Sequence, residues 1–134
     1  MGFVVDTSVW VDVERGVLTP AQVVEVTGEE PVYLTPTIFA ELWYGVHRAR
    51  TESQRTKRLA AMTRLRRKPC LSLDAATGEI VGRLASELDR IGRPSKHRLH
   101  DLWIAAAAIQ YSFGLLTRNP RDFRDIPGLD VAVI

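Results

Sequence analysis

Three acidic residues stand where a carboxylate can take part in chemistry as well as in solvation. Asp6 ends the apolar run at 3–5, Glu41 lies in the segment after the β-prone residues 32–34, and Asp101 precedes an apolar stretch. Singly, each is explained by helix capping, solvent exposure or the helix dipole. Partly buried carboxylates that converge on one place repel each other, and Mg²⁺ or Mn²⁺ suits such all-oxygen ligands better than zinc. Such a metal can activate water and support phosphodiester cleavage.

The elements that would position these acids follow from alternating apolar runs and amphipathic segments. Strands are predicted at 3–5, 32–34, 70–73, 115–117 and 131–134. Helices are predicted at about 7–16, 20–28, 36–46, 51–67, 75–91 and 102–113, with Thr7 and Ser8 as caps of the first. This alternation predicts parallel strands joined by crossover helices, hence an α/β sandwich. The carboxyl ends of parallel strands share an edge where ligands gather, so the acids are expected there.

Local sequence also suggests how two of the acids differ from ordinary surface residues. Because Thr7 and Ser8 can cap the first helix, Asp6 is partly redundant in that role. Glu41 falls at the edge of an apolar helical stripe beside Gly45, which we interpret as leaving room for a half-buried carboxylate. Both positions therefore favour a functional role in combination with Asp101.

Composition excludes several classes of protein. The 134 residues are 46% hydrophobic and 25% charged, as in a packed globular domain. Because the sequence contains neither an internal repeat nor a linker, residues 1–134 are expected to form one domain. No stretch has the roughly 20 apolar residues of a membrane span, and the N-terminus lacks a secretory pattern. A single cysteine, Cys70, cannot form an intrachain disulfide. We therefore expect a cytoplasmic protein with no membrane partner.

The net charge of +2 hides an uneven distribution. Residues 1–47 contain seven acids and only one basic residue, Arg15, whereas residues 48–68 contain nine basic residues and a single acid, Glu52. A second basic cluster lies at 90–98. Such stripes either form solvated helix faces or follow a phosphate backbone.

Four segments together resemble PIN-domain ribonucleases, and among them the VapC-type toxins of type II toxin–antitoxin systems. These segments are VVDTSVWVD at 4–12, TPTIFAELWYGV at 35–46, HDLWIAAAAIQYSFGLLTRNPRDF at 100–123 and IPGLDV at 126–131. The resemblance spans essentially the whole chain. It implies a single Rossmann-like three-layer α/β/α PIN domain with a short, mostly parallel central sheet, and carboxylates around Mg²⁺ or Mn²⁺.

By position, Asp6, Glu41 and Asp101 match the three core acids of that family. The fourth position, often acidic in relatives, is Asn119 here, and Asp122 one turn further on is an alternative carboxylate. The resemblance thus implies Asp6, Glu41, Asp101 and Asn119 as metal ligands, with Asp122 among the catalytic residues. An amide binds a metal through its carbonyl oxygen but adds no negative charge.

The resemblance further implies an endoribonuclease toxin that cleaves structured RNA, either tRNA or rRNA, and is inhibited by a cognate antitoxin. It also implies a homodimer and a toxin–antitoxin hetero-oligomer. RNA contacts are expected from basic residues beside the site, namely Arg93, Lys96, Arg98 and Arg118.

Two alternatives remain open from the sequence. One is another α/β phosphoryl-transfer protein, although a haloacid-dehalogenase-like phosphatase requires a second Asp at the place that Ser8 occupies. The other is a non-catalytic PIN-like module that binds RNA or titrates an antitoxin, which the neutral Asn119 favours.

Overall fold

The computed structural model describes residues 1–134 and contains one four-stranded sheet and six α-helices. The strands are β1 (Phe3–Val5), β2 (Val32–Tyr33), β3 (Gly114–Thr117) and β4 (Val131–Val133). The helices are α1 (Thr7–Glu14), α2 (Pro20–Thr27), α3 (Pro36–His47), α4 (Glu52–Leu65), α5 (Ala75–Arg90) and α6 (Leu99–Gln110), and a 3-10 turn spans Pro120–Asp122. The strand order is β2-β1-β3-β4, with every pair parallel. The predicted α/β class is confirmed, and the sheet is entirely parallel.

The two central strands divide the core into two layers because successive side chains point to opposite faces. Val4 and Leu115 join the larger core, to which α3, α4, α5 and α6 contribute. Val5 and Leu116 face the other way and pack with residues of α1 and α2. Both faces of the short sheet are therefore covered, as a parallel sheet requires.

Helix α6 approaches the sheet closely because its middle consists of small residues. The four alanines at 105–108 are completely buried, and side chains this small let the helix pack closely on β1 and β3. The first turn of α6, which carries Asp101, is thereby held near the carboxyl edge of the sheet.

The predicted strand at 70–73 is wrong. Only one parallel bridge forms, between Leu34 and Cys70. The chain enters helix α3 immediately afterwards, with Thr35 as its cap, so β2 offers no further backbone for a neighbouring strand. Segment 70–73 therefore stays extended without becoming a strand.

The start of α6 also differs from the prediction. The helix begins at Leu99 and ends at Gln110, about three residues earlier at each end than the sequence pattern indicates. Leu99 is half exposed and thus gives no apolar periodicity to mark the start.

None of the six helices combines the length and apolarity that crossing a membrane requires.

Candidate active site

Asp6 follows β1 directly and is held in place at the centre of the sheet edge. Its backbone N–H donates to the Leu116 carbonyl of β3 at 2.9 Å, which extends the β1–β3 pairing by one residue. Only 6% of Asp6 is exposed, and its Oδ2 accepts hydrogen bonds from the Ser8 and Thr117 hydroxyls, both at 2.8 Å. The carboxylate is therefore oriented by two donors, while no hydrogen bond to Oδ1 is formed.

The predicted capping of α1 by Thr7 and Ser8 is wrong. Asp6 itself occupies the N-cap position, but its side chain makes no capping hydrogen bond to the helix. Thr7 and Ser8 lie within the first turn, and the Ser8 hydroxyl serves the carboxylate instead. The Asp6 carboxylate thus does not accept the hydrogen bond from a first-turn backbone N–H that is usual for an N-cap aspartate.

Glu41 projects from the middle of α3 and is half buried. Its Oε1 is inaccessible to solvent and has no hydrogen-bond partner. Burial raises the pKa of Glu41, and the charge of Asp6 raises it further, whereas the Thr7 hydroxyl and His100 act in the opposite direction. A buried carboxylate oxygen without a partner is costly and needs a proton or a cation.

The interpretation of Gly45 as space for Glu41 is not supported. A Cβ atom added at Gly45 would have no neighbour within 4 Å. The glycine instead borders a groove between α1, α3 and α4, and its carbonyl accepts a 2.7 Å hydrogen bond from Arg58. The absence of a side chain at position 45 is therefore not what makes room for Glu41.

Asp101 lies in the first turn of α6 and is the most strongly perturbed acid of the site. Burial, followed by the charges of Asp122, Asp6 and Glu41, raises the pKa of Asp101 from 3.8 to about 6, against the opposing charge of Arg98. Three neighbouring carboxylates thus contribute to one shift. Such mutual repulsion is typical of acids arranged for function.

The predicted acids and the amide share one cavity of about 360 Å³ at the carboxyl edge of the sheet. It is lined by Asp6, Thr7, Ser8, Val11, Asp12, Glu41, Asp101, Arg118, Asn119 and Asp122. No three acidic, histidine or cysteine side chains form a compact set of metal ligands. The carboxylates face the same space from different sides, which suits a cation that keeps several waters and binds one or two carboxylates directly, as Mg²⁺ does.

The donor chemistry of this cavity fits a divalent cation. The lining side chains that could bind a metal all do so through oxygen, and one of them is Glu41, whose Oε1 has no hydrogen-bond partner. A cation would lower the repulsion that raises the pKa values of Asp101 and Glu41. With a cation bound, Asp6, Glu41 and Asp101 could all be ionised although they lie close together.

Asn119 and Asp122 approach the cavity from the turn after β3. The backbone N–H of Asn119 donates to the Thr117 hydroxyl at 3.0 Å, and that of Asp122 donates to the Asn119 carbonyl at 3.1 Å. Both residues are exposed and both line the cavity. Both side chains thus add an oxygen to the cavity, a neutral amide oxygen from Asn119 and a carboxylate from Asp122.

Most of the basic residues predicted to bind RNA have partners within the chain. Arg98 forms a two-pronged pair with Asp125 at 2.7 and 2.8 Å and donates to the Asp122 carbonyl at 2.8 Å. Arg93 lies 3.8 Å from Asp125, whereas Lys96 is exposed and has no ion-pair partner. Arg98 consequently ties the start of α6 to the turn that carries Asp122.

Arg118 is likewise engaged, although it lines the acidic cavity. Its Nε pairs with Asp12 at 2.7 Å and its Nη1 donates to the Ile134 carbonyl at 2.9 Å. Its backbone N–H donates to the Ser8 hydroxyl at 3.2 Å. This network joins α1, the end of β3 and the end of β4.

Sequence reasoning missed the supporting roles of Ser8, Asp12 and Thr117. The β1–β3 register places Thr117 one residue beyond the strand pair Val5–Leu116, next to Asp6. A prediction that these two strands are neighbours would have located Thr117. The partner of Arg118 could not be found that way, since Asp12 belongs to a helix.

The fold and the site together define an α/β/α protein with an acidic cavity, suited to a divalent cation, at the carboxyl edge of a parallel sheet. The family model described as PIN domain matches residues 3–129. The chain is 31% identical to Ribonuclease VapC of Rickettsia bellii over 139 residues, covering 100% of this chain and 97% of the relative. It therefore belongs to the PIN-domain family, among the VapC ribonucleases.

Further comparisons agree with this assignment. Ribonuclease VapC5 of Mycobacterium tuberculosis is 33% identical over 125 residues, covering 93% of this chain and 87% of the relative. The crystal structure of VapBC-5 from M. tuberculosis, a member of the VapBC family of toxin–antitoxin systems, superposes with a TM-score of 0.79 at 28% identity, covering 99% of this chain and 97% of that chain. DNA-bound VapBC from Salmonella typhimurium has a TM-score of 0.83 at 21% identity, covering 99% and 98%, and so supports the fold. Family membership removes the alternative of another α/β phosphoryl-transfer protein, such as a haloacid-dehalogenase-like phosphatase.

Proposed function

We propose that this protein is a metal-dependent endoribonuclease toxin, with Asp6, Glu41 and Asp101 as its central catalytic groups and Mg²⁺, or Mn²⁺, as its cation. The observation that carries the proposal is the shared acidic cavity, in which carboxylates from three elements perturb one another. Structured RNA, tRNA or rRNA, is the proposed substrate, and residues 1–134 act as one domain. An RNA substrate and a single cysteine suit the cytoplasm.

Asp6 and Asp101 would hold the cation, with Glu41 and the exposed Asn119 or Asp122 completing the set through direct or water-mediated contacts. When bound, the cation would lower the pKa of a water molecule and neutralise charge that develops on the phosphodiester. Ser8 and Thr117 fix Asp6 by bonding to Oδ2 and leave Oδ1 available as a ligand.

Glu41 would accept the proton of the attacking water. It lines the cavity that would hold this water, and its carboxylate is close enough to Asp6 and Asp101 for their charges to interact. The water oxygen forms a bond to phosphorus, the opposite P–O bond breaks, and the leaving oxygen takes a proton from solvent. Asp122 is exposed and lines the same cavity.

Cleavage of a labelled tRNA transcript by purified protein tests this function. Asp6→Asn and Asp101→Asn should each lower the cleavage rate by at least about 100-fold, because each removes a charged group from the reacting centre. Glu79→Gln, an exposed acid on α5 outside the cavity, is the matched control and should cleave normally. Chelation of divalent cations should abolish the wild-type activity.

The same assay separates the non-catalytic alternative. A folded wild-type protein that binds RNA but leaves it intact with Mg²⁺ and with Mn²⁺ would be an RNA-binding module. A folded Asp6→Asn protein that cleaves at the wild-type rate would instead show that the catalytic centre lies elsewhere.

An antitoxin is the proposed regulatory partner, in a hetero-oligomer that also contains a toxin homodimer. An apolar groove of about 270 Å³ runs between α1, α3 and α4, with Trp10, Leu42 and Met62 among its lining residues. It shares Val11 and Glu41 with the catalytic cavity, so a peptide seated in the groove would end at the carboxylates. Ala61→Arg, which fills the groove, should weaken antitoxin binding without slowing RNA cleavage, as measured by co-purification and by the tRNA assay.

A further inference from the structure

A second polar cavity, of about 370 Å³, adjoins the catalytic one on the side of the turn after β3. It is lined by Arg118, Asn119, Pro120, Arg121, Asp122 and Arg124. Three of these, Arg118, Asn119 and Asp122, also line the catalytic cavity. The two spaces are therefore continuous, and a chain molecule whose reacting group lies among the carboxylates would extend into the second.

The free positive charge at this edge of the protein comes from Arg121 and Arg124. Both are exposed and neither has a carboxylate within 4 Å, whereas Arg93, Arg98 and Arg118 each have one. An arginine without an internal partner keeps its planar set of donors for an external anion. The cavity thus offers two uncommitted guanidinium groups.

The backbone that carries these arginines is firmly anchored. Phe123 is 1% exposed and Ile126 is 3% exposed, so the turn is fixed to the core on both sides of Arg124. The N–H of Phe123 and that of Arg124 both donate to the Pro120 carbonyl, at 3.1 and 2.9 Å. Binding an anion here would order side chains but not backbone, which lowers its entropic cost.

We propose that Arg121 and Arg124 form a phosphate-binding subsite that holds the RNA backbone beside the phosphodiester being cleaved. This assignment rests on the ribonuclease function proposed above. It moves the principal phosphate contact from the loop at 93–98, where Arg98 is already paired, to the turn at 120–124. The ligand is a polyanionic sugar–phosphate chain, and the subsite would be indifferent to base sequence.

Binding and cleavage of one fluorescein-labelled oligoribonucleotide of about twelve nucleotides test the subsite. Arg121→Gln and Arg124→Gln should each raise the Kd about fivefold and reduce the slope of log K against log salt by about 0.7, as for one lost phosphate contact. The KM for cleavage should rise in parallel while kcat stays within about twofold, because the subsite binds substrate without touching the reacting atoms. The matched control is Arg83→Gln, an exposed arginine of α5 that lies outside the second cavity.

The outcomes distinguish this inference from the proposed function. If the wild-type protein cleaves the RNA but the Arg121 and Arg124 variants match Arg83→Gln in Kd and salt slope, the subsite is refuted and the ribonuclease stands. A loss in kcat with an unchanged KM would also overturn it. If the wild-type protein neither binds nor cleaves any RNA, the proposed function itself fails.

Discussion

The acids of the cavity at the carboxyl edge of the sheet should lower the stability of the protein, and Asp101→Asn should reveal by how much. The pKa of Asp101 rises from 3.8 to about 6 in the folded protein. A difference of about 2.2 units corresponds to about 3 kcal/mol, and solvent screening of this partly exposed group reduces it to about 1–2 kcal/mol. The variant should therefore be more stable than wild type near neutral pH although it is inactive, with a Tm higher by about 4–8 °C.

The dependence on pH follows from the direction of the shift. Between the unfolded pKa near 4 and the folded value of about 6, the native state holds more protons than the unfolded state. The unfolding free energy of the wild type should consequently fall as pH rises through this interval, and the full loss persists at higher pH. Asp101→Asn lacks this contribution, so the two proteins should be equally stable near pH 4 and diverge by pH 7.

Urea unfolding in the presence of a chelator measures both effects, with Glu79→Gln as control. Saturating Mg²⁺ should then recover stability for the wild type, by about 2.7 kcal/mol at a concentration 100 times the Kd, and by less for Asp101→Asn. Equal stability of the two proteins at neutral pH would refute the idea that burial and the neighbouring carboxylates raise the pKa of Asp101. Equal stabilisation of both by Mg²⁺ would refute Asp101 as a ligand.

Three further perturbations test other parts of the structure. A double-mutant cycle of Arg98→Gln and Asp125→Asn, measured by urea unfolding, should give a coupling free energy of about 2 kcal/mol, because both side chains are at most 20% exposed. Since the pKa of Asp125 is lowered, this coupling should persist above about pH 4 and vanish as the pH falls through the depressed pKa. A coupling below about 0.5 kcal/mol would contradict a stabilising Arg98–Asp125 ion pair. Ser8→Ala should slow RNA cleavage about tenfold by releasing Asp6, and an unchanged rate would show that Thr117 suffices. Gly45→Ala should raise the unfolding free energy by about 0.5–1 kcal/mol, since the new methyl group meets no atom within 4 Å, whereas a destabilised variant would show that the helix needs the glycine.

The order of elements was predictable because each strand and helix has a local pattern. Thr35 and Asp74 cap α3 and α5 by accepting hydrogen bonds from backbone N–H groups of the first turn, and both are residue types that favour this position. The error at 70–73 has a different origin. An apolar run indicates an extended segment, but it becomes a strand only if a neighbour provides backbone partners, and β2 ends too soon.

The acids could be located from sequence because each is adjacent to a recognisable element, whereas the roles of the arginines depend on partners far along the chain. Arg98 is predicted as an RNA contact, yet its partner Asp125 lies 27 residues away. Conversely, no sequence pattern distinguishes Arg121 and Arg124 from other arginines. They differ from Arg98 and Arg118 in the structure, because neither has a carboxylate within 4 Å. Charge alone does not tell which cations are committed inside the protein.

The direct continuation of β1 and β3 into the site has a consequence for dynamics. Val4, Val5, Leu115 and Leu116 are completely buried, and the Asp6 amide belongs to the hydrogen bonds between these strands. Amides in such a place are expected to exchange with solvent only when the whole domain opens. Asp6 should therefore keep its position for as long as the sheet is folded, and its backbone amide should be among the most slowly exchanging in the chain.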